Sequence, residues 1–317
     1  MIDSAGARKG GDDALSRPLF NQSVATTQAA FRAALSDYID ITKPKHQFVL
    51  FTCWVTMRLA APELPGSLVF WTLLGTAFAV ASSHVFNQII DRDVDAIMER
   101  TKDRPLAAGR ISVRGAALFG VILGILALVT LAMTTNWLTV LLAFSGWFIY
   151  VVIYSYWLKR KSPWCTLMGG FSGAMPTLIG WAAVHGSLAP IPLLFFAFMT
   201  IWQSPHFFAL SLYRREDYER AKLPVVVVYH GVETTLQRIV LHIPSLILCT
   251  VLLTLQGVGG LPYLLATLAL GGLYLAWAVQ AWRGGAATSA AWGKRLFHFS
   301  YVYMLSVFAL AVIFPGG

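Results

Sequence analysis

The chain has 317 residues, 57% hydrophobic and only 12% charged, with a formal net charge of +9. Soluble globular domains carry about 25% charged residues, so this composition excludes an ordinary water-soluble fold. The basic excess fits loops that meet anionic lipid, and a nucleic-acid partner is not implied.

In chain order, residues 1–45 come first: a polar stretch rich in Ala, Ser and Asp. They are expected to form a tail with a short amphipathic helix near Thr27 to Ile39, followed by a single membrane domain over 46–317. Apolar runs of about 20 residues, each long enough to cross a bilayer, are predicted at 46–62, 69–90, 115–134, 137–157, 164–184, 190–212, 236–256, 261–281 and 297–314. In lipid only helices and closed barrels satisfy their own backbone. These runs are too long for barrel strands, so the expected fold is all-α, polytopic, with nine transmembrane helices around a central cavity. Cys53, Cys165 and Cys249 lie in separate apolar runs with no C-x-x-C spacing, which suggests neither a disulfide framework nor a zinc site.

Charge placement tests the count. Of the 24 Lys and Arg residues, all but Arg58 fall in alternate loops, on one side of the predicted bundle. Basic loops face the cytoplasm, which puts the N-terminus there and the C-terminus across the membrane.

The chemistry concentrates on that basic side. The string NQIIDRDVDAIMERTKDRPL, Asn87 to Leu106, starts at the end of the second span. Asn87, Asp91 and Asp95 are four residues apart, so a helix puts them on one face. Two carboxylates and an amide oxygen suit Mg²⁺, which binds through one or two carboxylates and substrate phosphates. Asp93 falls off that face and is expected to pair with a basic residue. Arg100, Lys102 and Arg104 follow at once, and such cations bind phosphate. Together they describe a diphosphate site. A second cluster, WQSPHFFALSLYRREDYERAKLP, holds Gln203 and His206 within the sixth span and Asp217 and Tyr218 at its exit. Asp217 is the candidate for a second metal-binding carboxylate. A third cluster, Tyr154, Lys159 and Arg160, closes the fourth span on the same side.

The first string resembles the first aspartate-rich motif of the membrane-embedded prenyltransferase superfamily, with Asn87, Asp91 and Asp95 on its N-x-x-x-D-x-x-x-D pattern. Met98, Arg100, Thr101, Arg104, Pro105 and Leu106 then look like its haem-farnesylating branch. WQ-x-PHF at Trp202 to Phe207, Asp217–Tyr218, Tyr154 with Lys159–Arg160, Gly169–Gly170 and Ser172 to Ala174 resemble that branch too. The likeness runs from about Tyr38 onward. It departs at Lys222, where the branch has Gly, at Val225 in place of Met, and at Cys165 in place of Asn.

The resemblance implies transfer of a farnesyl group from farnesyl diphosphate to haem B, with Mg²⁺ as cofactor and haem as substrate. It implies that Asn87, Asp91, Asp95, Tyr154 and Lys159 are catalytic, that Arg100, Arg104, Arg160, Asp217 and Tyr218 bind the diphosphate, and that Gln203 and His206 face the haem and prenyl cavity. A bacterial inner membrane, lipid contact and a downstream haem-modifying partner go with it. The rivals are a sister enzyme acting on an aromatic acid or chlorin, and a transporter or haem carrier. A transporter places its polar groups near the bilayer midplane, whereas here the acidic groups crowd one face.

Overall fold

The computed structural model describes residues 32–163 and 165–314. Every regular element among them is helical: α1 Val49–Ala60, α2 Gly66–Ile97, α3 Val113–Thr134, α4 Trp137–Leu158, α5 Cys165–His185, α6 Pro190–Tyr213, α7 Arg215–Arg220, α8 Val226–Leu255 and α9 Gly260–Ile313. Residues 32–41 are also helical. The remainder of the expected tail, 1–31, lies outside the described residues.

Seven of these helices are long and apolar enough to cross a membrane, which makes this a multi-pass membrane protein. The expected count was nine, and two features account for the difference. The first span is only the 12-residue α1, preceded by a 3-10 turn at Pro44–His46. The eighth and ninth spans are joined in the 54-residue α9, which breaks at Gly285 with φ 60° and ψ −155°. Only glycine takes that backbone without steric cost. α8 begins ten residues before the predicted span and breaks in the same way at Gly231, φ 83°.

Local sequence explains the ends. Ser112 caps α3 by accepting from the Gly115 amide at 3.0 Å, and Asn136 caps α4 by accepting from Thr139 at 3.1 Å. Each satisfies a first-turn N–H that has no partner in its own helix. Pro190 opens α6 at a position where its missing N–H costs nothing.

The helices pack in a ring, α2 on α3, α4 on α5, α5 on α6, α6 on α8 and α9, with α1 lodged against α5. Small residues set the closest approaches. A Cβ on Gly180 would sit 2.1 Å from the Cys53 carbonyl oxygen, so α5 and α1 touch through backbone. Phe195, Phe198, Leu236, Ile243, Tyr303 and Phe308 fill the largest core, between α6, α8 and α9. Leu118, Ile125 and Met133 of α3 point outward and exposed, as a lipid-facing surface requires.

Candidate active site

α2 runs seven residues past its predicted end, which carries the Asn87–Asp91–Asp95 stripe on an unbroken helix. All three side chains are buried, while Arg92 and Asp93 are exposed. Buried carboxylates need compensating charge, and three separate segments supply it. Lys159, just after α4, ion-pairs with Asp91. Arg104, in the loop after α2, meets Asp95 with Nη1 2.7 Å from Oδ2. Lys43 donates to Asn87 Oδ1 at 2.7 Å. Asn87 Nδ2 in turn donates to Asp91 Oδ2 at 2.7 Å and to Ser155 Oγ at 3.0 Å. Asp91 Oδ1 is buried and accepts nothing.

Lys43 reaches the stripe because the chain before α1 is tied down across α2. Gln88 donates to the Ile41 carbonyl at 2.9 Å, the His84 ring meets the Thr42 carbonyl at 3.1 Å, and Arg110 pairs with Asp37 at 3.0 Å. Residues 37–43 thus pack with the membrane domain. Lys43 itself adopts a left-handed backbone, φ 54°. Burial and the charges of Arg104 and Lys159 pull its ammonium well below the ordinary lysine range. For Lys159, burial also disfavours the charge, but Asp91 outweighs it and the net shift is upward.

The lower half of α4, Ile149–Leu158, is a π-helix. Its wide turns are closed by bonds such as Lys159 N to Tyr154 O at 2.9 Å. In an α-helix, residues five apart diverge by about 140° around the axis, and Ser155 would point away from Tyr150. The π-register aligns such pairs, so Ser155 reaches Asn87 while Tyr150 and Tyr154 face the cavity. π-turns concentrate at functional sites.

The stripe opens onto one cavity, and a second adjoins it. The first, about 190 Å³, is lined by Lys43, Asn87, Asp95, Arg100, Arg104, Tyr150, Tyr154, Lys159, Cys165 and Tyr218. The second, about 500 Å³, is walled by rings, among them Trp202, His206, Phe297 and Tyr301. His46, Arg100, Tyr150, Gly169, Gln203, Phe207 and Leu210 border both. Gln203 lies across Gly170 and Gly173, donating to the Gly170 carbonyl at 2.9 Å. A Cβ on Gly173 would come within 2.6 Å of its amide, so these glycines make the room it occupies. His206 is stacked between Trp202 and Phe297, ring centroids 4.6 and 4.5 Å away, and its Nδ1 lies 2.6 Å from Ser300 Oγ. Trp202 donates to the Ser300 carbonyl at 2.7 Å.

Two sequence candidates lie elsewhere. Arg160 grips the exposed Asp93 with both terminal guanidinium nitrogens, Nη2 at 2.6 Å and Nη1 at 2.8 Å, and does not line either cavity. Asp93 thus has the basic partner expected of it. Asp217 is buried beneath the loop after α2, because α7 turns it there. It accepts from the Glu99 amide at 3.2 Å and lies 3.6 Å from Arg220, outside the cavity lining. Sequence reasoning missed Lys43, Ser155 and Ser300. Lys222, which replaces the Gly of the resembled branch, has φ 51°, a backbone that Gly accepts more readily than any side-chain-bearing residue.

The sequence and the fold have known counterparts. The chain belongs to the UbiA prenyltransferase family, whose pattern its residues 49–312 match. It is 42% identical over 281 residues to the protoheme IX farnesyltransferase of Roseiflexus castenholzii, covering 88% of this chain and 52% of that protein. The chain spans about half the length of that relative and of a second from Roseiflexus. The protoheme IX farnesyltransferase of Parvibaculum lavamentivorans is 38% identical, with 87% of this chain and 88% of that one covered. Among solved structures, a digeranylgeranylglyceryl phosphate synthase shares the fold with a TM-score of 0.73 at 17% identity, over 88% of this chain and 99% of that one. So does a UbiA homologue from Archaeoglobus fulgidus bound to GPP and Mg²⁺, with a TM-score of 0.62 at 18% identity, over 87% and 99%.

Proposed function

We propose that this protein transfers the farnesyl group of farnesyl diphosphate to a vinyl group of haem B, giving haem O and diphosphate. The observation that carries this reading is the pair of joined cavities, one cationic beside the carboxylate stripe and one walled by rings. A substrate with an anionic head and apolar tail suits the first and its outlet, and a flat conjugated acceptor suits the second. The names of relatives 38–42% identical support the same two substrates.

Asn87, Asp91 and Asp95 fit a Mg²⁺ ion. Asp91 Oδ1 is a buried acceptor without a donor, and the donor set is oxygen alone, as a hard cation requires. Among the described residues no three His, Cys, Asp or Glu side chains cluster as metal ligands. The set therefore relies on the Asn87 amide and on substrate phosphate oxygens. When bound, the ion supplies stabilisation of negative charge on the diphosphate.

The chain's own residues do the rest. Lys43, Arg100, Arg104 and Lys159 hold phosphate oxygens, and the Tyr154 and Tyr218 hydroxyls line the same space. Asp217 acts at one remove, holding the loop that carries Arg100 and Arg104. As the farnesyl carbon–oxygen bond breaks, its electron pair leaves with the diphosphate. The haem vinyl supplies the pair for the new carbon–carbon bond. Water then adds to the adjacent carbon and loses a proton. Ring faces at Tyr150 and Phe207 exclude bulk water, and each such face stabilises an allylic cation by about 0.5–2 kcal/mol. His206, fixed by Ser300, orients the acceptor. The basic loops support a site at the cytoplasmic face, with the C-terminus across the membrane, and a bacterial inner membrane is the proposed location.

The test is purified protein with haem B, farnesyl diphosphate and Mg²⁺, products weighed by mass spectrometry. Haem O that disappears with excess chelator is the expected result. A farnesylated aromatic acid or chlorin without haem O would assign the protein to a sister reaction. Movement of haem across vesicles without any product would make it a carrier.

A further inference from the structure

The ring-walled cavity has a charged end that the reaction above does not use. Arg214, at the close of α6, and Lys294, on the second arm of α9, both line it, and neither borders the cavity of the carboxylate stripe. Both cations lie over one ring: Arg214 Cζ is 4.5 Å and Lys294 Nζ 5.8 Å from the centre of Tyr213. Two like charges sharing a ring repel each other, so their closeness needs an anion or a structural cause.

The structural cause is visible at Gly293. A Cβ there would come within 2.9 Å of the Ala209 oxygen, the Leu212 Cβ and the Tyr213 nitrogen. The two helices thus approach to backbone contact, and the next residue, Lys294, is carried up beside Arg214. What the cations lack is an anion of the protein. Among the described residues neither pairs with a carboxylate, and no Asp or Glu lines this cavity. The Arg214 Nε is buried and donates to nothing, a costly state for a charged donor. The carboxylates of the other cavity, by contrast, are each held by a cation of the protein.

We propose that Arg214 and Lys294 hold the carboxylates of the acceptor, whose conjugated ring system lies against the aromatic wall between them and His206. This deepens the proposed function and rests on it: it assigns the acceptor as a flat dianion and says which end of it faces α6 and α9. Arg offers a planar fork for one carboxylate and Lys a point charge for the other. The acceptor is thereby oriented with its acidic edge toward Tyr213 and its opposite edge toward Arg100 and Tyr150, where the two cavities meet.

The test uses full-length protein in detergent and two probes, haem B and its dimethyl ester, in which both carboxylates are capped. Affinities are read by absorbance, and turnover by mass. Wild-type protein should bind haem B at least about tenfold more tightly than the ester, since a charge-assisted hydrogen bond is lost at each capped group. Arg214→Gln/Lys294→Gln should bring haem B down to the level of the ester and leave the affinity of the ester itself almost unchanged. The affinity for farnesyl diphosphate should not move. Equal affinity of wild-type protein for both probes overturns the proposal, and does so without reference to any variant. So does a variant that loses both probes alike, because that is damage to the cavity wall. If wild-type protein farnesylates haem B while failing to discriminate the ester, only this proposal falls. If it neither binds nor modifies haem B, the functional reading falls with it.

Discussion

The carboxylate stripe and the ring-walled cavity solve opposite problems within one bundle. The stripe buries two carboxylates and pairs each internally, Asp91 with Lys159 and Asp95 with Arg104, while Lys43 donates to the Asn87 amide oxygen. The ring-walled cavity buries apolar surface, fixes Trp202 and His206 through one residue, Ser300, and, among the described residues, leaves its rim cations Arg214 and Lys294 without a carboxylate partner. A site whose charges are paired in advance is rigid and must exchange partners when substrate arrives. A site whose charges are unpaired waits for the ligand to complete it. Mutations should therefore act on turnover and stability at the stripe, and on acceptor affinity at the rings.

The largest effect is expected at the stripe. Asp91→Ala should lower turnover at least about a hundredfold, as removal of a central electrostatic group does, with the protein still folded in membrane. Near-normal product would remove Asp91 from the site. Asp93→Ala, one turn-face away and paired only with exposed Arg160, should stay close to wild type.

Lys159→Met strands Asp91 in a buried position. Breaking a buried pair from one side costs about 3–5 kcal/mol, so thermal unfolding in detergent should shift sharply downward. Adding Asp91→Asn should recover much of that stability but not the activity. A single variant as stable as wild type would show that Asp91 is solvated.

At the rings, Gly293→Ala forces α9 off α6, and overpacking of this kind costs about 1–3 kcal/mol. The KM for haem should rise while that for farnesyl diphosphate stays put. A rise in both would mean that the two regions are not separable. Ser300→Ala removes the partner of His206 Nδ1 but keeps the carbonyl that holds Trp202. The loss should be about 1 kcal/mol, read as a several-fold weaker haem affinity. Unchanged haem affinity in a stable variant would take His206 out of acceptor orientation.

The smallest effect runs the other way. Lys222→Gly relieves a left-handed backbone, φ 51°, that costs a side-chain-bearing residue about 1–2 kcal/mol, and the greater chain entropy of an unfolded glycine, about 0.5–1 kcal/mol, offsets most of that gain. A modest rise in thermal stability is the expected reading, and a fall would mean that the Lys222 side chain contributes more than its backbone costs.

The contrast between these regions also explains what the sequence could convey. A four-residue spacing on a straight α-helix is legible, so the Asn87–Asp91–Asp95 face and the exclusion of Asp93 were readable from letters alone. Charge alternation made the bundle legible because basic loops recur after every second predicted span. Lys43 was hidden by that same rule: it looked like one more topological lysine, and only the tie of Ile41 and Thr42 to α2 brings it inward. Ser155 was hidden because its orientation depends on a π-register that an α-helical wheel misplaces. Asp217 looked equivalent to the stripe until the turn at Arg214 and α7 aimed it at the Glu99 amide. Glycine breaks were invisible in another way. Gly285 sits in a polar stretch between two apolar runs, and nothing local says that the helix continues through it with a single residue out of line.

The partnership of Asp91 and Lys159 has a further consequence, in time instead of space. The two residues are 68 positions apart in the chain. At a synthesis rate of about 5–20 residues per second, roughly 3–14 seconds separate their emergence from the ribosome. For that interval α2 carries an acidic group, Asp91, whose counter-charge has not yet been made. The Asp91 end of α2 has to remain in contact with water until α4 has entered the bilayer beside it. The seating of the second helix is thus an event of the fourth, and any lesion that delays α4 strands a finished helix at the wrong depth.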